Sequence, residues 1–159
     1  MVFAPNACRF GTLRCIVVVA ASCRSPHRKR ILIVDDDRDG AENLAALLTA
    51  TGHDVRIEVG ARAGSEVVAS WRPDVALLDI GLPHGGAYRV ARRVRAEPDT
   101  RHTRLVALTE WGQKQDRRRS AEAGFDHHLV KPVDPLHLKV LLNSVASGAR
   151  TTSGSPSQG

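Results

Sequence analysis

The chain has 159 residues, 42% of them hydrophobic, and a formal charge of +6. That length accommodates one globular domain with extensions and no second domain. Six of the 23 basic residues (Arg9, Arg14, Arg24, Arg28, Lys29 and Arg30) fall within residues 1–30, where there is no acid, leaving 17 basic against 17 acidic groups. The pI near 9.9 thus describes the leader. The neutral remainder gives no electrostatic ground for a nucleic-acid or membrane partner.

Cysteine is confined in the same way. Cys8, Cys15 and Cys23 all precede residue 28, which excludes a disulfide, a thiol nucleophile or a cysteine metal site from the rest of the chain. The apolar run Cys15-Ile16-Val17-Val18-Val19-Ala20-Ala21-Ser22 is too short to span a bilayer. It has the look of a signal-peptide core, but the polar stretch before it is long. Residues 1–28 are therefore read as a disordered or mis-started basic leader, residues 29–147 as one domain, and residues 148–159, rich in Ser, Thr and Gly, as a flexible tail.

Between these ends, apolar runs alternate with helical patterns. Ile31-Leu32-Ile33-Val34 is the first candidate strand. Ala41, Leu44, Ala45 and Leu48 follow at helical spacing, with Asp37 or Asp39 available as a cap and Gly52 suited to a left-handed stop. Residues 55–59 alternate apolar and polar, as on a half-exposed edge strand. Gly64, Val67, Val68 and Trp71 form the second helical stripe, which Pro73 ends. Val75-Ala76-Leu77-Leu78 is wholly apolar, as expected of a central parallel strand covered on both faces. Ala87, Val90, Ala91 and Val94 make the third stripe. Leu105-Val106-Ala107-Leu108 is a second central strand, and residues 113–123 form a strongly charged helix stopped by Gly124. Residues 125–130 are the fifth strand. Asp134 caps a last helix that has Pro135 at its first position and Leu138, Leu141, Leu142 and Val145 facing inward.

Five βα units imply a parallel sheet with right-handed crossovers and helices on both faces. In such sheets ligands bind beyond the carboxyl ends of the strands. The residues that end the apolar runs are Asp35 and Asp36, Asp79, Thr109 and Lys131, so one sheet edge would gather carboxylates, a hydroxyl and a lysine. Asp36 and Asp79 suit a hard divalent cation such as Mg²⁺ (or Mn²⁺), with Asp35 holding a metal-bound water. A carboxylate is also a competent nucleophile toward phosphorus, while Lys131 and Thr109 can neutralise and orient a phosphoryl group. An isolated strand-end Asp is usually structural. Four strand ends each carrying a required group make the functional reading the stronger one.

These residues resemble the receiver domain of response regulators, the phosphoacceptor module of two-component signalling, over roughly residues 29–146. The likeness rests on Ile31-Leu32-Ile33-Val34-Asp35-Asp36, Asp74-Val75-Ala76-Leu77-Leu78-Asp79-Ile80-Gly81-Leu82-Pro83, Ala107-Leu108-Thr109 and Val130-Lys131-Pro132. The segments Thr109-Glu110-Trp111-Gly112-Gln113 and Ala123-Gly124-Phe125-Asp126-His127-His128-Leu129-Val130-Lys131-Pro132-Val133-Asp134-Pro135 are most similar to receivers of hybrid sensor histidine kinases.

The resemblance implies an α/β fold: a single doubly wound, five-stranded parallel sheet of order 2-1-3-4-5, flavodoxin-like. It implies that Asp79 takes a phosphoryl group from a phosphohistidine on a sensor histidine kinase or histidine phosphotransfer protein. Asp36, Asp79 and the backbone carbonyl of Gly81 would ligate Mg²⁺, with Asp35 acting through water. Thr109 and Lys131 would bind phosphoryl oxygens, and Pro132 would follow a cis peptide. Thr109 and His128 would form the switch, His128 standing where the family has an aromatic residue. The expectation is a cytoplasmic switch module, not a turnover enzyme, with no DNA-binding output domain and no nucleic-acid or membrane partner. It would be a monomer or a weak dimer through the face of helix 4, strand 5 and helix 5.

Two departures stand out. Glu110 follows Thr109 where the family has a small residue, and Gly85-Gly86 replaces a common Asp-Gly pair, which predicts a looser start to helix 3. Two other classes remain open at this stage. A metal-dependent phosphohydrolase would use the same aspartate, but such enzymes place a second acid two residues on, where Gly81 stands. A degenerate receiver that only binds partners is the other.

Overall fold

The computed structural model describes residues 28–110 and 114–145. The readings made for the leader, for residues 111–113 and for the tail lie outside the described residues.

In chain order the elements are β1 (Arg30–Val34), α1 (Arg38–Ala50), β2 (Asp54–Glu58), α2 (Ala61–Trp71), β3 (Val75–Asp79), a 3₁₀ turn (Pro83–Gly85), α3 (Gly86–Ala96), β4 (Arg104–Thr109), α4 (Lys114–Ala123), β5 (His127–Val130) and α5 (Pro135–Ser144). The strands form one parallel sheet in the order β2-β1-β3-β4-β5, as the alternating pattern and the resemblance lead one to expect. Every residue of β3 is buried, whereas β2 is half-buried with Arg56 exposed at its centre. These are the patterns of a central and an edge strand.

The apolar stripes divide the helices between the two faces. On one face, Val68 of α2, Val90, Ala91 and Val94 of α3, and Ala123 of α4 pack on Leu32, Ala76, Leu78, Leu105 and Ala107. On the other, Ala41 and Leu48 of α1 and Leu138, Leu141 and Leu142 of α5 pack on Ile31, Ile33, Val75, Leu77, Val106 and Leu108. Successive strand side chains point to opposite faces, so each central strand supplies both cores.

Helix ends show the expected stops with some differences in detail. Gly52, at φ +90°, closes α1: its N–H donates to Thr49 O, and the His53 N–H donates to Leu48 O. Gly124, at φ +95°, closes α4 with the same pair of bonds, to Ala121 O and from Phe125 N–H to Ser120 O. Both are Schellman caps, in which a left-handed residue turns the chain so that orphan carbonyls are satisfied. The second cap explains why β5 starts at His127 and not at residue 125: Phe125 is buried beneath the cap and packs edge-on against Tyr88, 6.1 Å away. Asp37 stands at the N-cap of α1 without a side-chain cap bond. Asp134 caps α5 as read, accepting from Leu136 N–H at 2.9 Å. At the start of α3, Gly86 is buried, and a Cβ there would lie 2.8 Å from that of Ala61. The glycine lets α2 and α3 approach closely, so this helix start is tightly packed where the sequence suggested a looser one.

Candidate functional site

Parallel register brings the expected residues to one edge. Val34 pairs with Leu78, so Asp35, the next residue, lies beside Asp79. Asp79 is the last residue of β3 and pairs with Leu108. Thr109, the last residue of β4, pairs with Val130, and its carbonyl accepts from Lys131 N–H at 2.8 Å. Ile80 N–H donates to Leu108 O at 2.9 Å. The backbone thus carries the sheet ladder one step past the strands and fixes where these side chains start.

Lys131 Nζ lies 2.8 Å from Asp35 Oδ2 and 3.1 Å from Asp79 Oδ2. Asp79 Oδ1 accepts from Gly81 N–H at 2.8 Å, and Asp35 Oδ1 accepts from Asp37 N–H at 3.0 Å. Both of these aspartates are buried, whereas Asp36 is exposed. Ligand oxygens of Asp35, Asp36 and Asp79 all lie within 4.8 Å of one another. Thr109 is buried. The Lys131–Pro132 peptide is cis. His128 is half-buried on β5, and Glu110 is exposed just past β4.

Electrostatically the site is over-supplied with acid. Burial pushes the Asp79 carboxyl above its usual value, and the nearby Asp35 adds to this. The Gly81 N–H and Lys131 pull the other way without cancelling the rise. Burial lowers the Lys131 ammonium, but its hydrogen bonds to Asp35 and Asp79 outweigh that, so its pKa is raised. One ammonium faces three carboxylates. Such a set of hard oxygen donors with uncompensated negative charge fits a divalent cation of the Mg²⁺ type.

The chain's sequence matches the response regulator receiver domain over residues 31–143. The chain belongs to that family. The receiver is 32% identical over 116 residues to the response regulator PleD of Caulobacter vibrioides, an overlap that takes in 73% of this chain and 26% of PleD. It thus spans about a quarter of that relative's length. Among solved structures it is similar to the receiver domain of a signal transduction histidine kinase of Syntrophus aciditrophicus, with TM-score 0.69 and 28% identity over 80% of this chain and 97% of that one. It is also similar to the receiver domain of the Pseudomonas aeruginosa PAO1 sensor histidine kinase PA1611, with TM-score 0.67 and 27% identity over 73% and 95% of the two chains. That structure has a magnesium ion coordinated in its active-site cleft.

The receiver brings Asp35, Asp36, Asp79 and Lys131 together, with Thr109 on the neighbouring strand end. His128 lies one strand position before Leu129, which pairs with Leu108, so it belongs to the β5 edge and not to the acidic cluster. The sequence reading missed the backbone N–H of Gly81 as a donor to Asp79. It was anticipated only through its carbonyl, although a glycine two residues past the strand end was a visible sign of a close backbone approach. A Cβ at position 81 would lie 3.2 Å from both Asp79 oxygens. The donation from Asp37 N–H to Asp35 had no sequence signal.

Proposed function

We propose that this receiver is a phosphoacceptor switch in which Asp79 takes a phosphoryl group from a phosphohistidine. The observation that carries this reading is the placement of Asp79 Oδ2 3.1 Å from Lys131 Nζ, within a cluster of three carboxylates. An Asp79 oxygen attacks phosphorus, the phosphorus–nitrogen bond breaks, and the histidine nitrogen leaves with the bonding pair. Lys131 and the Thr109 hydroxyl hold phosphoryl oxygens and offset their charge. Burial keeps competing water away and leaves the carboxylate more basic.

Asp36, Asp79 and the Gly81 carbonyl would ligate Mg²⁺ or Mn²⁺, with Asp35 acting through a water. When bound, the ion would supply the positive charge that lets a phosphoryl dianion approach three acids. The reaction is a single transfer onto the protein followed by slow hydrolysis, so the chain is a signalling module and not a turnover enzyme.

The donor is a sensor histidine kinase or a histidine phosphotransfer protein, and the working place is the cytoplasm. No described helix is long and apolar enough to cross a membrane. Thr109 and His128 relay the modified state to the face of α4, β5 and α5, where Val130, Leu136 and Val140 are exposed. That apolar surface suits a changing protein partner or a weak dimer. Output passes through the partner that this face engages.

Labelled phosphate transfer from a histidine kinase tests the assignment. The wild-type chain should take up label with Mg²⁺ and not with EDTA, and Asp79→Asn should take up none. Persistent label in the Asn variant would refute the role of Asp79.

A further inference from the structure

The fold sorts the arginines that the sequence shows as two clusters. Arg95 is structural: its guanidinium donates to the carbonyls of Gly124, Arg101 and Thr103 and pairs with Asp126 at 2.6 Å. That clasp, with the Tyr88–Phe125 contact, packs α3 directly against α4. Arg118 pairs with Glu122. Arg93 turns toward α2, lining the cleft that also contains Glu97 and Asp99.

With Arg117 facing the groove beside β5, Arg89, Arg92 and Arg119 remain. All three are exposed, and none has an ion pair among the described residues. Arg89 and Arg92 lie one turn apart on the face of α3 opposite Val90, Ala91 and Val94. On α4, Arg117 lines the groove beside His127 and His128 of β5. Arg119, two residues on and so about 200° around the helix, lies on the flank toward α3. The three arginines therefore share one surface.

The charge is segregated by face. α3 contains four arginines and no acid, and α4 contains four basic and two acidic residues. α2 is neutral, and α1 and α5 on the far side cancel to zero. A domain that is neutral in sum thus carries a net charge of +6 on the helices of one face, away from the acidic edge that holds Asp79.

We propose that the α3–α4 face of the unmodified receiver docks an acidic protein segment. Protein is favoured over nucleic acid by two features. Among the described residues this surface has no exposed aromatic side chain for base stacking, since Tyr88 is half-buried against Phe125. It is also rimmed by acids held in ion pairs, Glu66 with Arg62, Asp99 with Arg72, and Glu122 with Arg118. A rim of paired acids and bases offers a continuous phosphate ladder no extended basic track, but it complements a bounded acidic patch whose own border is mixed in sign.

The test uses the full chain and a fluorescent glutamate-rich peptide. Wild type should bind in a salt-sensitive way. The triple variant Arg89→Glu/Arg92→Glu/Arg119→Glu should lose roughly tenfold or more in affinity. The charge-matched control Arg38→Glu/Arg56→Glu/Lys139→Glu, on α1, the β2 edge and α5, should lose about twofold or less. Far-UV circular dichroism checks folding, and Arg89→Gln/Arg92→Gln/Arg119→Gln gives a milder form of the same test. Asp79→Asn should bind like wild type, which separates this proposal from the phosphoacceptor assignment. Equal losses in the two triple variants would overturn the proposal. So would a DNA duplex of equal charge binding more tightly than the peptide and losing that affinity in the first triple variant.

Discussion

Lys131 Nζ sits 3.1 Å from Asp79 Oδ2 while keeping a 2.8 Å contact to Asp35. One cation thus bridges two buried carboxylates from different strands. Lys131→Ala should destabilise the metal-free protein by about 1–3 kcal/mol, because two buried charged acceptors lose their partner. Added Mg²⁺ should restore more stability to the variant than to wild type, since it replaces the missing charge. Urea unfolding with EDTA and with Mg²⁺ reads this directly; an identical Mg²⁺ increment in the two proteins would contradict it.

The raised pKa of Asp79 sets the sign of a pH effect. Burial favours the protonated carboxyl in the folded state. The stability this contributes is complete below the unfolded value, near 4, and is lost as pH rises through the folded value. Asp79→Asn removes that loss. In EDTA the variant should melt at a higher temperature than wild type at pH 7, and its advantage should shrink toward pH 4. A constant offset across that range would show that the gain has another origin.

The parts of the site legible in the sequence are those fixed by period and register. Asp79 could be placed because four apolar residues without alternation mark a strand covered on both sides, and parallel neighbours end at one edge. Lys131 could be placed because Pro132 breaks the fifth run immediately after it. What was not legible depends on backbone direction. Asp37 sits where a capping side chain belongs, yet it offers its N–H to Asp35 and makes no side-chain cap. Phe125 reads as strand and is the apolar partner of a helix stop. The sorting of Arg92, Arg93 and Arg95 into outward, lateral and structural roles also requires knowing which helices flank α3.

His53 gives a second titration of opposite sign. Its Nδ1 accepts from Lys29 N–H at 3.3 Å. Burial, and then the Lys29 charge, lower its pKa. The stability it contributes is present above the unfolded value, about 6.5, and is lost as pH falls through the lowered folded value. His53→Gln keeps an acceptor and removes the titration, so its stability should decline less between about pH 6.5 and 5 than that of wild type. Denaturant midpoints across that window decide the matter, and equal slopes would remove His53 from the account.

Glu110 follows Thr109 at the carboxyl edge of the sheet, and its side chain is exposed. An exposed carboxylate repels an incoming phosphodonor only through screened water, so the effect is one of rate and is small. Uptake from a small donor such as acetyl phosphate should be about threefold faster in Glu110→Ala than in wild type at low salt. The two rates should converge near 1 M salt, where the screening length is about 3 Å. Exposure is what separates this expectation from a block: a Glu110 carboxylate turned into the pocket would slow uptake at every ionic strength. Equal rates at low salt would show that the acid has no part in phosphorylation.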